Sequence, residues 1–136
     1  MRGVIIRDGT TAGEIESGLQ FDLADVLAAL GERVAISRWR ARGLWYTSRD
    51  EKDIEPLERL ADGAILEGQE LLACLPRVQQ IIDGEFQARI AEAEEPWVIA
   101  RAVDSSWWEI LSDDPAVLAA MRARFRAVQF FPILPR

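Results

Sequence analysis

Residues 97–112, WVIARAVDSSWWEILS, constrain this chain more than any other stretch. They pattern as two β-strands joined by a polar turn at Asp104, Ser105 and Ser106. Short Asp and Ser side chains bond their own nearby backbone, which suits them to a turn. Over residues 97–103 both parities are apolar. Trp97, Ile99 and Val103 share one side, Val98, Ala100 and Ala102 the other, and only Arg101 interrupts. Such a strand is covered on both sides or lies in the middle of a sheet. After the turn, Glu109 shares a parity with Trp107 and Leu111. The stretch holds three of the five tryptophans. Each ring buries ~150–250 Å², so these residues are expected to supply much of the core. For Trp107 and Trp108 the expectation is one ring in the core and the other a partly covered lid. The competing reading is an exposed platform on which a base or sugar stacks.

The flanking chain extends this hairpin. Residues 85–90 alternate, with Phe86, Ala88 and Ile90 inward and Glu85, Gln87 and Arg89 outward, which predicts a strand with one wet face. Together with the hairpin it makes an antiparallel meander. Residues 3–7 are a further strand candidate, and residues 8–20 a loop. Residues 21–31 predict a helix, with Asp22 as N-cap, Phe21 stapled to Val26, and Gly31 past the end. Residues 33–47 have strand composition with a broken phase. Either a bulge near Ser37 and Arg38 swaps faces, or two short strands abut. Residues 48–55 are a charged loop, and residues 54–62 a short helix with Pro56 in its first turn. Leu71, Leu75, Val78 and Ile82 give residues 65–83 a helical spacing, broken by a kink at Pro76. Asp114 and Pro115 start a last helix over residues 114–126, and residues 127–131 read as a final strand. The expected fold is α+β: one domain over residues 1–136, an antiparallel sheet of about five strands, and helices mainly on one face.

The chemical inventory is short. The chain has no histidine and one cysteine, Cys74. No imidazole is present to move protons near neutral pH, and the usual Cys/His zinc site cannot be built. No G-x-x-x-x-G-K-[ST] or G-x-G-x-x-G segment occurs, so a phosphate cradle for a nucleotide has no motif. No cofactor and no metal is expected. Cys74 stands among leucines and reads as a small buried hydrophobe rather than a reactive thiol. The Asp50, Glu51, Asp53 and Glu55 cluster lacks the spacing and glycine of a calcium loop. Net charge is −7, which disfavours nucleic acid and anionic membrane as partners. No apolar run approaches the ~20 residues of a membrane span, and the first residues do not read as a signal peptide. Cytoplasmic residence is the expectation.

Two groups of residues stand out for binding. On a strand, Arg38, Arg40 and Arg42 project from one face about 6.7 Å apart, with Trp39 between them. They are suited to gripping carboxylates or phosphates, or to pairing with this protein's own acids on neighbouring strands. Asp104 and Glu109 flank the hairpin turn and are the one carboxylate pair positioned for acid/base work. The leading functional expectation is a small acidic module that binds a basic protein partner; immunity proteins and antitoxins are analogous in charge and size only. The alternative is a small-ligand site or carboxylate-based enzyme around Arg38, Arg40, Arg42, Asp104 and Glu109. A third reading is a homodimer whose interface uses Trp107 or Trp108.

Overall fold

The computed structural model describes residues 1–9 and 21–132. Among them the chain forms seven strands and four α-helices, an α+β fold. The strands are β1 (Arg2–Ile6), β2 (Ser37–Ser48), β3 (Leu66–Glu67), β4 (Val78–Ile90), β5 (Val98–Val103), β6 (Trp107–Ser112) and β7 (Val128–Pro132). The helices are α1 (Leu23–Leu30), α2 (Glu55–Ala61), α3 (Gly68–Cys74) and α4 (Pro115–Arg124). All strands join one antiparallel sheet in the order β3-β2-β4-β5-β6-β1-β7. Most of the loop expected over residues 8–20, from residue 10 onward, lies outside the described residues. No described helix is long and apolar enough to cross a membrane.

The hairpin of β5 and β6 sits at the centre of this order, so the doubly apolar β5 is a mid-sheet strand. Its inner side, Val98, Ala100 and Ala102, is buried, while Ile99, Arg101 and Val103 on the outer side are half-buried. Trp39, Phe86, Trp108, Val4 and Ile6 complete the inner face, against which the helices set Leu23, Leu27, Leu57, Leu71 and Met121. Local chemistry places these helices. Asp22 accepts from Leu23 N, and Asp25 accepts from Asp22 N at 3.0 Å, a reciprocal cap that starts α1. The same Asp22 carboxylate accepts from Ile81 N at 2.8 Å and so fastens α1 to β4. Asp114 caps α4 through Ala116 N, with Pro115 following. Gly68 opens α3 where a Cβ would lie 1.9 Å from the Val34 carbonyl oxygen. Only glycine fits that approach.

Three expectations are corrected. The sheet has seven strands rather than five. The helix over residues 65–83 is confined to α3; Pro76 lies in a 3-10 turn, and residues 78–83 belong to β4. Val78, one of the residues with helical spacing, is buried instead through pairing with β2, as is Ile81, while Ile82 is half-buried. The break in β2 lies not at Ser37 and Arg38 but between Arg42 and Tyr46, where the register with β4 shifts. Phe21 also packs on Phe125, with ring centroids 4.7 Å apart.

Candidate binding surfaces

The irregularity in β2 creates the first surface. Gly43 has φ +59, a left-handed conformation that glycine adopts without strain. Register with β4 jumps from Arg42↔Glu85 to Trp45↔Asp83. A bulge of this kind re-aims the side chains beyond it. Trp39 and Ala41, before it, are buried; Trp45, after it, is turned outward and 59% exposed. Trp45 then lines a cleft of ≈ 500 Å³ with Tyr46, Glu51, Lys52, Asp53 and Glu58. Tyr46 is held in place because its hydroxyl accepts from Ile54 N at 2.9 Å, at the start of α2. Burial, with Glu58 nearby, pushes the Tyr46 hydroxyl above its ordinary pKa, so it stays protonated. The Asp50 carboxylate, beside the cleft, accepts from Lys52 N at 3.0 Å and pairs with Arg77 at 3.2 Å, and sits below the usual carboxylate range. Glu51, Asp53 and Glu58 make no ion pair among the described residues. In the sequence Trp45 is one apolar residue of the strand-like run 33–47; nothing short of the Gly43 conformation reveals that it faces water.

The second surface is the outer face of the sheet. Arg42, Glu85, Arg101 and Glu109 stand opposite one another across β2, β4, β5 and β6, alternating in sign. Arg101 Nε donates to Glu85 Oε1 at 2.6 Å, and its Nη1 lies 3.6 Å from Glu109 Oε1. Gln87 donates to the second Glu85 oxygen at 2.7 Å. Burial alone would raise the Glu85 pKa; Arg101 and Gln87 outweigh it and hold the carboxyl below its ordinary value. Glu109 also accepts from Trp107 Nε1 at 3.0 Å, and Arg7 lies over the Trp107 ring at 5.5 Å.

The expected site residues are therefore dispersed. Arg38, Arg40 and Arg42 share the outer face of β2, as their spacing predicts, and Trp39 points the opposite way into the core. Asp104 is exposed at the tip of the β5–β6 turn, where its N–H donates to Asp83 Oδ1 at 2.8 Å. Glu109 lies along β6 and is engaged by Arg101 and Trp107. The two carboxylates do not form a pair, so the acid/base arrangement expected of them is not assembled. Trp108 is 0% exposed and stacks near Phe86 at 6.3 Å between centroids. It belongs to the core, which removes it from any binding or dimer surface. Trp107 is the half-buried lid. Cys74 is buried, donates to Leu71 O, and burial raises its pKa, as suits an inert thiol. Among the described residues no group of three or more Cys, Asp or Glu is placed to hold a metal ion.

Compared with known proteins, the chain matches no family model, no curated protein and no solved structure. What its surfaces can do follows from their own chemistry.

Proposed function

We propose that this protein is a small acidic binding module that takes a basic segment of a protein partner into the cleft beside Trp45. One observation carries the reading: a tryptophan turned out of the sheet by a bulge stands beside three carboxylates, Glu51, Asp53 and Glu58, that make no ion pair among the described residues. An indole face attracts an arginine or lysine head group by ~0.5–2 kcal/mol, and carboxylates at the rim add charge-assisted hydrogen bonds. Exposed tryptophans are enriched among the residues that dominate binding energy. The net charge of −7 adds long-range attraction for a positively charged partner. Cytoplasmic residence is part of the same proposal, supported by Cys74, which has no disulfide partner.

The test is calorimetric titration with a short oligo-arginine peptide at low and at moderate salt. The expected result is saturable binding that weakens with salt and is lost in Trp45→Ala, while Trp107→Phe binds as the parent does. Binding that survives Trp45→Ala unchanged, or no binding at low salt, overturns the proposal.

A further inference from the structure

At the other end of β2, two clefts adjoin. One, of ≈ 240 Å³, is lined by Arg40, Arg42, Glu85, Gln87 and Arg89. The next, of ≈ 390 Å³, shares Arg40 and Arg89 and adds Arg38 and Glu94. Four guanidinium groups therefore converge on one corner of a protein whose net charge is −7. The hydrogen bonds of Arg38 and Arg89 go to carbonyl and amide oxygens, while the charge of Arg42 helps hold the carboxyl of Glu85 low. Arg38 donates to the Ala91 carbonyl. Arg89 donates to the Glu94 carbonyl at 2.9 Å and to Gln87 Oε1 at 3.1 Å. Arg40 and Arg42 make no ion pair among the described residues. Glu85 stands opposite Arg42, but both its oxygens are taken, one by Arg101 and one by Gln87.

Register adds an independent point. Arg38 and Arg89 are directly opposed between β2 and β4, with Glu67 of β3 opposite Arg38 on the other side. Like charges so placed are destabilising. Arginine near a sheet edge deters pairing with other chains, which accounts for the row of three on β2, bordered only by the two-residue β3, but not for a fourth guanidinium facing it from an interior strand. An arrangement that works against stability and leaves two forks unused is what a ligand site looks like before its ligand arrives.

We propose that Arg40 and Arg42, backed by Arg38 and Arg89, bind the phosphate group of a small phosphorylated molecule. The backbone positions of Arg40 and Arg42 are about 6.7 Å apart along the strand, within the span two long arginine side chains can bridge to approach one tetrahedral oxyanion from two sides. Arg89 is pre-set by Gln87 and the Glu94 carbonyl, so ordering it on binding costs little. Multiple charges on the site call for a multiply charged ligand, which favours phosphate or pyrophosphate over a monocarboxylate. This site is separate in composition from the Trp45 cleft, sharing no lining residue with it.

The test is isothermal titration of the full chain with pyrophosphate, with inorganic phosphate, and with citrate as the carboxylate arm. The expected result is pyrophosphate binding that Arg40→Ala/Arg42→Ala weakens at least about tenfold, with the melting temperature in the absence of ligand unchanged. Arg40→Lys keeps the charge but not the fork and is expected to lose a measurable part of the affinity; Arg124→Ala, on α4, is expected to lose none. Three results overturn the proposal: no pyrophosphate binding at millimolar concentration, binding indifferent to the double variant, or binding of citrate alone.

Discussion

Trp107 and Trp108 are neighbours in sequence and belong to different kinds of surface. Trp108 points into the inner face, fully buried beside Phe86, and its indole N–H has no hydrogen-bond partner among the described residues. Trp107 points to the outer face, is half-buried, and gives its N–H to Glu109. The difference is one of what holds each face together. Burying an indole of ~150–250 Å² at ~25 cal/mol per Å² contributes roughly 4–6 kcal/mol, which exceeds the ~1–3 kcal/mol cost of one unpaired buried N–H. The inner face therefore tolerates an unsatisfied polar atom because shape and volume dominate there. On the outer face Arg101, Glu85 and Glu109 are 25%, 18% and 22% exposed. Their charges are too far from bulk water to go unpaired, and directional bonds dominate.

The comparison predicts its largest contrast at the two tryptophans. Trp108→Ala is expected to destabilise the fold by about 3–5 kcal/mol, and Trp107→Ala by less than about 1 kcal/mol. Trp108→Phe is expected to recover most of the loss, since it refills the core and removes the unpaired N–H. Urea unfolding of the three variants measures this. Equal costs at positions 107 and 108 would break the distinction between the faces.

The two faces also hold carboxylates that titrate in opposite senses. Burial, only partly offset by the Ile81 and Leu23 N–H bonds, raises Asp22 from 3.8 to about 6. Its folded pKa is above its unfolded one, so the folded state takes up a proton first. Stability from this group is gained as pH falls from about 6 toward 4, by an amount on the order of 2 kcal/mol. Glu85 is shifted the other way by Arg101 and Gln87. Its contribution is present above the ordinary carboxylate pKa and is lost as pH falls through its lowered value. Unfolding free energies over this pH range should show the parent gaining on Asp22→Asn as the medium is acidified. An unchanged difference between the two proteins would mean that Asp22 is not desolvated. For Glu85→Gln the expected cost at neutral pH is about 1.5 kcal/mol, shrinking as the parent's Glu85 protonates.

Much of the inner face was legible in the sequence, and much of the outer face was not. Asp22 and Asp114 announce their helices because capping is local chemistry. The β5–β6 hairpin is readable because a polar turn separates two apolar runs, and Asp104 and Ser105 do take positive φ there. Residues 78–83 pattern as helix because Leu71, Leu75, Val78 and Ile82 satisfy a helical spacing that only pairing with β2 overrides. The Arg38, Arg40 and Arg42 stripe follows from strand alternation, but its opposition to Glu85, Gln87 and Arg89 depends on a long-range register that alternation does not fix. The same limit hid the Arg101 pairing with Glu85. Trp45 was hidden by a single backbone dihedral at Gly43.

The smallest expected effect on folding falls at that last residue and is the sharpest check on the division between surface and core. Trp45 is a large apolar side chain, 59% exposed, on the same strand as Trp39, which is fully buried. Truncating a mostly exposed ring removes little burial, so Trp45→Ala is expected to change stability by no more than about 0.5 kcal/mol. Replacing Gly43 by alanine works on the same site from the backbone, since φ +59 is strained for any side chain with a Cβ. If the bulge exists to present Trp45, Gly43→Ala should weaken oligo-arginine binding with the indole still present. If the bulge only relieves twist in a long strand, Gly43→Ala should lower stability and leave binding as it was. Measuring both quantities on both variants separates a ring that is displayed from one that is merely displaced.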